Sequence, residues 1–369
     1  MDTVKLRIFV PDISPIIKNS IPCEYKNYRG GWEPNTQWII TTPKNSDQGY
    51  FPRIDIMKWF HTPERPYAIS VQLSVPKMLY GNNLIEVDEA DLERITTLIA
   101  DKVTAITTIR ISPDDIANAE VARIDYSKNI ISHSAGFTRN VIDLMAKQNI
   151  TKRFDLTTTD YSRDGHGMKY HCKSYEFAIY DKRVDLQKEG LGRTRMLSAE
   201  TTDNRKELMR FIDKSGLHVL RIEARFIGSR SIKCMLSKYS GIPCARSPTF
   251  AKLFNMELAQ TVVVAKWEEY TKDADLLALD VDMPYEIWVN QLMNGSTMIR
   301  SLAASGLQQI VRQVGTRKVR AVVDEFGKSN SWRSLERLLD NLPRSRTGSI
   351  LEVDKALERF EIIKSVNNY

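Results

Sequence analysis

The chain has 369 residues, 42% hydrophobic and 27% charged, a composition that excludes both a disordered tail and a bundle embedded in a membrane. Its formal charge of +7 favours a polyanionic partner such as nucleic acid or an anionic membrane surface. Four cysteines, Cys23, Cys172, Cys234 and Cys244, with no CxxC pair, argue against a disulfide framework and against a structural zinc site.

Length alone points to two domains. Met1 to Val10 alternates as a strand and lacks the apolar stretch and cleavage site of a signal peptide. No run approaches the roughly 20 apolar residues that span a bilayer, so a cytoplasmic protein with no membrane partner is expected. Gln37 to Thr41 and Tyr67 to Val75 are expected strands, with loop-like Thr42 to Phe51 between them. Ser74 to Asn83 contains a proline and Gly81-Asn82 and is read as a turn. Asp88 can cap a helix whose apolar positions Leu92, Ile95, Leu98, Ile99, Val103 and Ile106 keep the helical period.

A strand at Val121 to Tyr126 and a helix at Phe137 to Lys147 come next. Short strands are expected at Arg153 to Thr158 and Met168 to Cys172, then a strand carrying Tyr180 from Tyr175 to Val184. A polar helix from Thr202 to Lys214 precedes the strand Leu220 to Phe226. The first part is thus α+β, a sheet backed by helices. After residue 241 helical periods dominate: Phe250 to Trp267, Tyr285 to Met293, Met298 to Val314, Lys318 to Phe326, Ser331 to Leu342 and Leu351 to Ser365. The expected division is 1–240 for a catalytic unit and 241–369 for a mainly helical DNA-binding or accessory region. Arg317 to Phe326 and Ser331 to Leu342 have the length and basic content of a helix-turn-helix, though an ordinary helix pair with a solvated basic face is the commoner arrangement.

Side chains alternate along a strand, so Arg221, Glu223 and Arg225 share one face while Leu220, Ile222, Ala224 and Phe226 pack inward. Arg123 and Asp125 repeat the device, and Tyr180 and Lys182 are again two apart. If these strands are neighbours, one face carries two carboxylates, several cations and a phenol. That set suits metal-assisted attack of a tyrosine on a phosphodiester. A tyrosine hydroxyl titrates near roughly 10, so a cation such as Lys182 must help stabilise its phenolate. Asp125 and Glu223 are candidate ligands for Mg²⁺ or Mn²⁺. The alternative is that Tyr180 packs in the core and the carboxylates simply pair with the arginines.

In order along the chain stand Ser74-Val75-Pro76-Lys77-Met78-Leu79-Tyr80-Gly81-Asn82-Asn83, Arg123-Ile124-Asp125, Tyr180-Asp181-Lys182-Arg183-Val184-Asp185-Leu186-Gln187 and Leu220-Arg221-Ile222-Glu223-Ala224-Arg225. Over about residues 65 to 240 this order resembles the gene II replication initiators of filamentous phages and their rolling-circle plasmid relatives. The resemblance implies a fold related to the HUH nicking domain, with a central antiparallel sheet and its active site on one face. It implies Tyr180 as the nucleophile that nicks origin DNA and stays on the 5′ phosphate, with Lys182 beside it. Asp125 and Glu223 fall at the family's acidic positions and are implied metal ligands, and Asp185, which replaces the glutamate of its Tyr-x-Lys-x-x-Glu-Leu pattern, is implied as a further metal ligand or water-orienting group. Arg123, Arg221, Arg225 and Lys77 are then DNA contacts. The family's carboxylates would take the place of the His-hydrophobic-His pair, which this sequence lacks.

The implied partners are origin DNA, single-stranded or supercoiled duplex, and a bacterial host's helicase and replication machinery, with room for a homodimer. No nucleotide cofactor is implied, since no Walker sequence is present. Tyr170 and Tyr175 are candidate second nucleophiles or packing residues. His166, His171 and Cys172 form a candidate metal cluster or a solvated turn. Two rival readings stand: a non-enzymatic origin-binding protein, and a relaxase or transposase with the same chemistry. A tyrosine recombinase would want a mostly helical catalytic domain and fits less well.

Overall fold

The computed structural model describes residues 1–14, 16, 23–28, 35–40, 50–58, 67–148, 165–172, 174–187, 202–240, 248–271, 289, 292–293, 297–327, 331–340 and 348–364. The expected strand at Arg153 to Thr158 and nearly all of the helix at Tyr285 to Met293 lie outside them. Among the described residues nine strands form one sheet: β1 (Thr3–Val10), β2 (Cys23–Tyr28), β3 (Asn35–Ile40), β4 (Arg53–Lys58), β5 (Tyr67–Ser74), β6 (Glu120–Ser132), β7 (Gly167–Cys172), β8 (Tyr175–Asp181) and β9 (His218–Ile227). Their spatial order is β2, β3, β4, β5, β1, β6, β9, β8, β7, and every pairing is antiparallel. The fold is therefore α+β.

The period-two pattern decides which face is buried. In β6 and β9, Ile124, Tyr126, Leu220, Ile222, Ala224 and Phe226 belong to the main core. Arg123, Asp125, Arg221, Glu223 and Arg225 point the other way. The core continues onto α1 (Val75–Tyr80), α2 (Leu92–Thr107), α3 (Pro113–Ala117) and α4 (Phe137–Lys147). Asp88 does cap, as its position promised, although it first closes a 3-10 turn at Glu89–Asp91 through a capping box with Asp91. Ser74 to Asn83 is not the expected turn. Pro76 in the first turn and Gly81 at φ 71 bracket the helix Val75–Tyr80, the usual start and stop chemistry of a helix.

Further helices are α5 (Lys182–Gln187), α6 (Thr202–Ser215), α7 (Ser229–Tyr239), α8 (Phe250–Leu253), α9 (Met256–Thr271), α10 (Met298–Val314), α11 (Thr316–Phe326), α12 (Ser331–Asp340) and α13 (Gly348–Arg359). Residues beyond 241 do not all stand apart from the sheet. Phe250, Leu253, Val262, Val263, Trp267, Ile350, Val353 and Leu357 are in the same core as β6 and β9. By contrast α10, α11 and α12 have a small core of their own around Leu307, Val311, Val319 and Leu339. Among the described residues no helix is long and apolar enough to cross a membrane.

The three-helix unit meets α4 at Gly315. This glycine has φ 89 and ψ 152, a region essentially closed to other residues, and a Cβ there would lie 2.7 Å from the Lys147 carbonyl oxygen. The same carbonyl accepts the Thr316 hydroxyl at 3.1 Å. Gly315→Ala should destabilise the protein by roughly 1–3 kcal/mol, read as a shifted urea midpoint. An unchanged midpoint would refute the contact.

Residues 360–364 cross back over the sheet as a strap. Lys128 Nζ donates to Glu86 and to the Glu361 carbonyl. The Ile363 carbonyl accepts the Glu86 N–H at 2.8 Å and the Ile363 N–H donates to Glu86 Oε2 at 3.3 Å, while Glu86 Oε1 accepts the Asn129 N–H at 2.7 Å.

Candidate active site

The polar face of β6, β9 and β8 is ordered by strand register. Asn129, Arg221 and Tyr180 form one cross-strand row, Ser127, Glu223 and Ala178 the next, and Asp125, Arg225 and Glu176 the third. Tyr180 is thus diagonal to Glu223, within reach of a long side chain. Its hydroxyl donates to Glu223 Oε1 at 2.7 Å. Burial, reinforced by the Glu223 charge, pushes that hydroxyl well above its ordinary range, against the pull of Arg221.

Glu223 takes three partners. Arg221 Nε donates to Oε1 at 2.6 Å, and Arg225 engages Oε2 through Nε at 2.9 Å and through Nη2. Burial would raise its carboxyl, but Arg225 and Arg221 outweigh burial and hold it well below the usual carboxylate range. Asp125 is gripped fork to fork by Arg123, with Nε to Oδ1 at 2.9 Å and Nη2 to Oδ2 at 2.7 Å. There burial prevails over both arginines and lifts the carboxyl to about 6.

Arg123, Asp125, Tyr180, Glu223 and Arg225 line a cleft of about 300 Å³ together with Lys77. Its remaining charged lining residues are Asp2 and Arg53. Asp2 is fixed by its backbone, whose N–H donates to the Asp125 carbonyl at 2.8 Å, and by the Ser74 hydroxyl at 3.2 Å. The sequence reading missed both residues. Arg53 and Asp55 stand two apart on β4, 3.2 Å from Nε to Oδ1, which is the same signal as Arg123 with Asp125. Asp2 lies one residue before a strand and had no such signal.

Two expected placements differ. Tyr180 and Lys182 do not share a strand face, because the strand ends at Asp181. The Asp181 carboxylate accepts the N–H groups of Arg183 and Val184 at 2.9 and 3.2 Å, starting α5 and turning Lys182 aside. Lys182 is buried, with Nζ 3.1 Å from Asp185 and 5.9 Å from the centre of the Tyr180 ring. Burial lowers its affinity for a proton and Asp185 opposes that. Arg221, expected as a DNA contact, is 1% exposed and does not line the cleft.

Tyr170 and Tyr175 lie in the core on the opposite sheet face from Tyr180. Tyr170 donates to the Met145 carbonyl at 2.9 Å and stacks on Tyr270. Among the described residues no three His, Cys, Asp or Glu side chains are grouped to hold a metal ion, and Cys172's side chain lies outside them. Asp125, Glu223 and Asp185 do not fit a resident Mg²⁺ or Mn²⁺ as arranged. The first two are committed to guanidinium groups through both oxygens, and the third is tied to Lys182. No family model, curated protein or solved structure matches this chain.

Proposed function

We propose that the protein nicks one strand of origin DNA through Tyr180 and initiates rolling-circle replication, on an α+β fold of the HUH-related type. The reading is supported by one observation above the rest: four separate segments of the chain bring Lys77, Arg123, Asp125, Tyr180, Glu223 and Arg225 to one cleft.

In this reading the arginine-fronted cleft takes a backbone phosphate, and the arginines balance charge that develops on it. Tyr180 Oη attacks phosphorus in line, the bond to the 3′ oxygen breaks, and the hydroxyl proton passes to Glu223, 2.7 Å away. The leaving oxygen takes a proton from solvent. The phosphotyrosine bond preserves the energy of the one broken, so the freed 3′ hydroxyl can reverse the step and close a circle. Unwinding falls to the host's helicase. Charge on the helices beyond residue 241 would add phosphate contacts and make binding salt-dependent.

The resemblance also implies Mg²⁺ or Mn²⁺. Whether either ion is required is tested separately by adding EDTA. The burial of Tyr180 favours one rival, the non-enzymatic origin binder in which this tyrosine is structural. The two separate on a denaturing gel. Intact protein incubated with single-stranded circular or supercoiled origin DNA and Mg²⁺ or Mn²⁺ should become attached to a 5′ end. Salt-sensitive binding with no adduct under any condition would leave the non-enzymatic reading.

A further inference from the structure

The carboxylates of the cleft lie beneath its arginines. Side-chain exposure is 26% for Arg123 and 22% for Arg225, against 4% for Asp125 and 3% for Glu223. A strand entering the cleft therefore meets guanidinium groups first. Arg123 presents to Asp125 the Nε and Nη2 edge that matches two oxygens of a carboxylate or equally two oxygens of a phosphate. Arg225 is held from two sides, by Glu223 and, through Nη1 at 3.0 Å, by Glu176. Glu176 in turn pairs with Lys169 at 3.1 Å. Arg221 is different, being buried and fixed among Glu223, Asp2, Ser127, Asn129 and the Asn83 carbonyl.

Resting on the reading of this cleft as a phosphodiester site, we infer that Asp125 and Glu223 are place-holders for the DNA phosphate rather than ligands of a metal ion. Arg123 and Arg225 exchange them for phosphate oxygens when a strand enters. Arg221 stays behind to balance Glu223. The empty cleft is thereby kept near neutrality, and only a ligand that offers a paired-oxygen anion displaces the internal one. The site therefore selects backbone phosphate by competition and not by net positive charge alone.

The sign of one measurement separates the two roles. Binding of a short fluorescent single-stranded oligonucleotide is followed by anisotropy in the Tyr180→Phe background, in EDTA and again in Mg²⁺. Removing a competing carboxylate charge in Asp125→Asn should tighten binding about tenfold in both buffers. Arg123→Gln should weaken it about tenfold or more, and Arg123→Lys should weaken it too because the fork is lost. Thermal melting checks that each variant is folded; if Asp125→Asn is not, Glu223→Gln is read the same way. Weaker or unchanged binding on loss of the carboxylate overturns the inference, and weakening confined to Mg²⁺ would return Asp125 to the role of metal ligand. An intact protein that forms no adduct while Asp125→Asn tightens binding would sink the nicking reading and leave the exchange standing.

Discussion

Tyr180→Phe should leave oligonucleotide binding in place and abolish the covalent protein–DNA adduct. Only the hydroxyl group is removed, and its 2.7 Å bond to Glu223 is one of several that Glu223 accepts. The stability cost should be about 1–2 kcal/mol. The rate of nicking should fall by at least about 10⁴-fold, because the attacking atom itself is gone. Tyr170 and Tyr175 cannot substitute, since their side chains are packed on the other face of the sheet. A 5′ adduct that survives in Tyr180→Phe would remove the assignment of the nucleophile.

Arg221→Ala should be the most damaging single change to the fold. Arg221 donates four hydrogen bonds, to Glu223 Oε1 at 2.6 Å, the Asn83 carbonyl at 2.7 Å, Asn129 Oδ1 at 2.9 Å and Ser127 Oγ at 3.0 Å, and forms an ion pair with Asp2 Oδ1 at 3.0 Å. Truncation strands the buried Asp2 and Glu223 carboxylates with fewer cations, a loss of about 3–5 kcal/mol. That is a large part of the roughly 5–15 kcal/mol by which domains are stable. Arg221→Lys should recover little, because an ammonium has three donors and no fork. Urea unfolding of the three proteins decides it, and a loss under about 1 kcal/mol in Arg221→Ala would mean the network is dispensable.

The helices and strands with strong periodicity were legible from their residues. Phe137–Lys147 and Met298–Val314 have the expected bounds. The face shared by Arg221, Glu223 and Arg225 follows from alternation alone. Neighbourhood was less legible, because β6 pairs with both β1 and β9 across long stretches of chain and no local signal sets strand order. The end of β8 was misjudged because Asp181 reads as one more strand residue until its carboxylate is seen to accept two backbone N–H groups. Burial of Arg221 was hidden as well, since a cation on the polar face of a strand is ordinarily solvated.

The strap of residues 360–364 also sets a schedule. Lys128 and Glu361 are 233 positions apart, and Ile363 and Glu86 are 277 apart. At a synthesis rate of roughly 5–20 residues per second, on the order of 10 to 50 s separate the emergence of the two ends of that clasp from the ribosome. Glu86 binds Asn129, and Asn129 holds Arg221, so the support beneath the cleft is finished only after the strap itself has been made. A nascent chain would thus contain Tyr180 well before the support around it is complete.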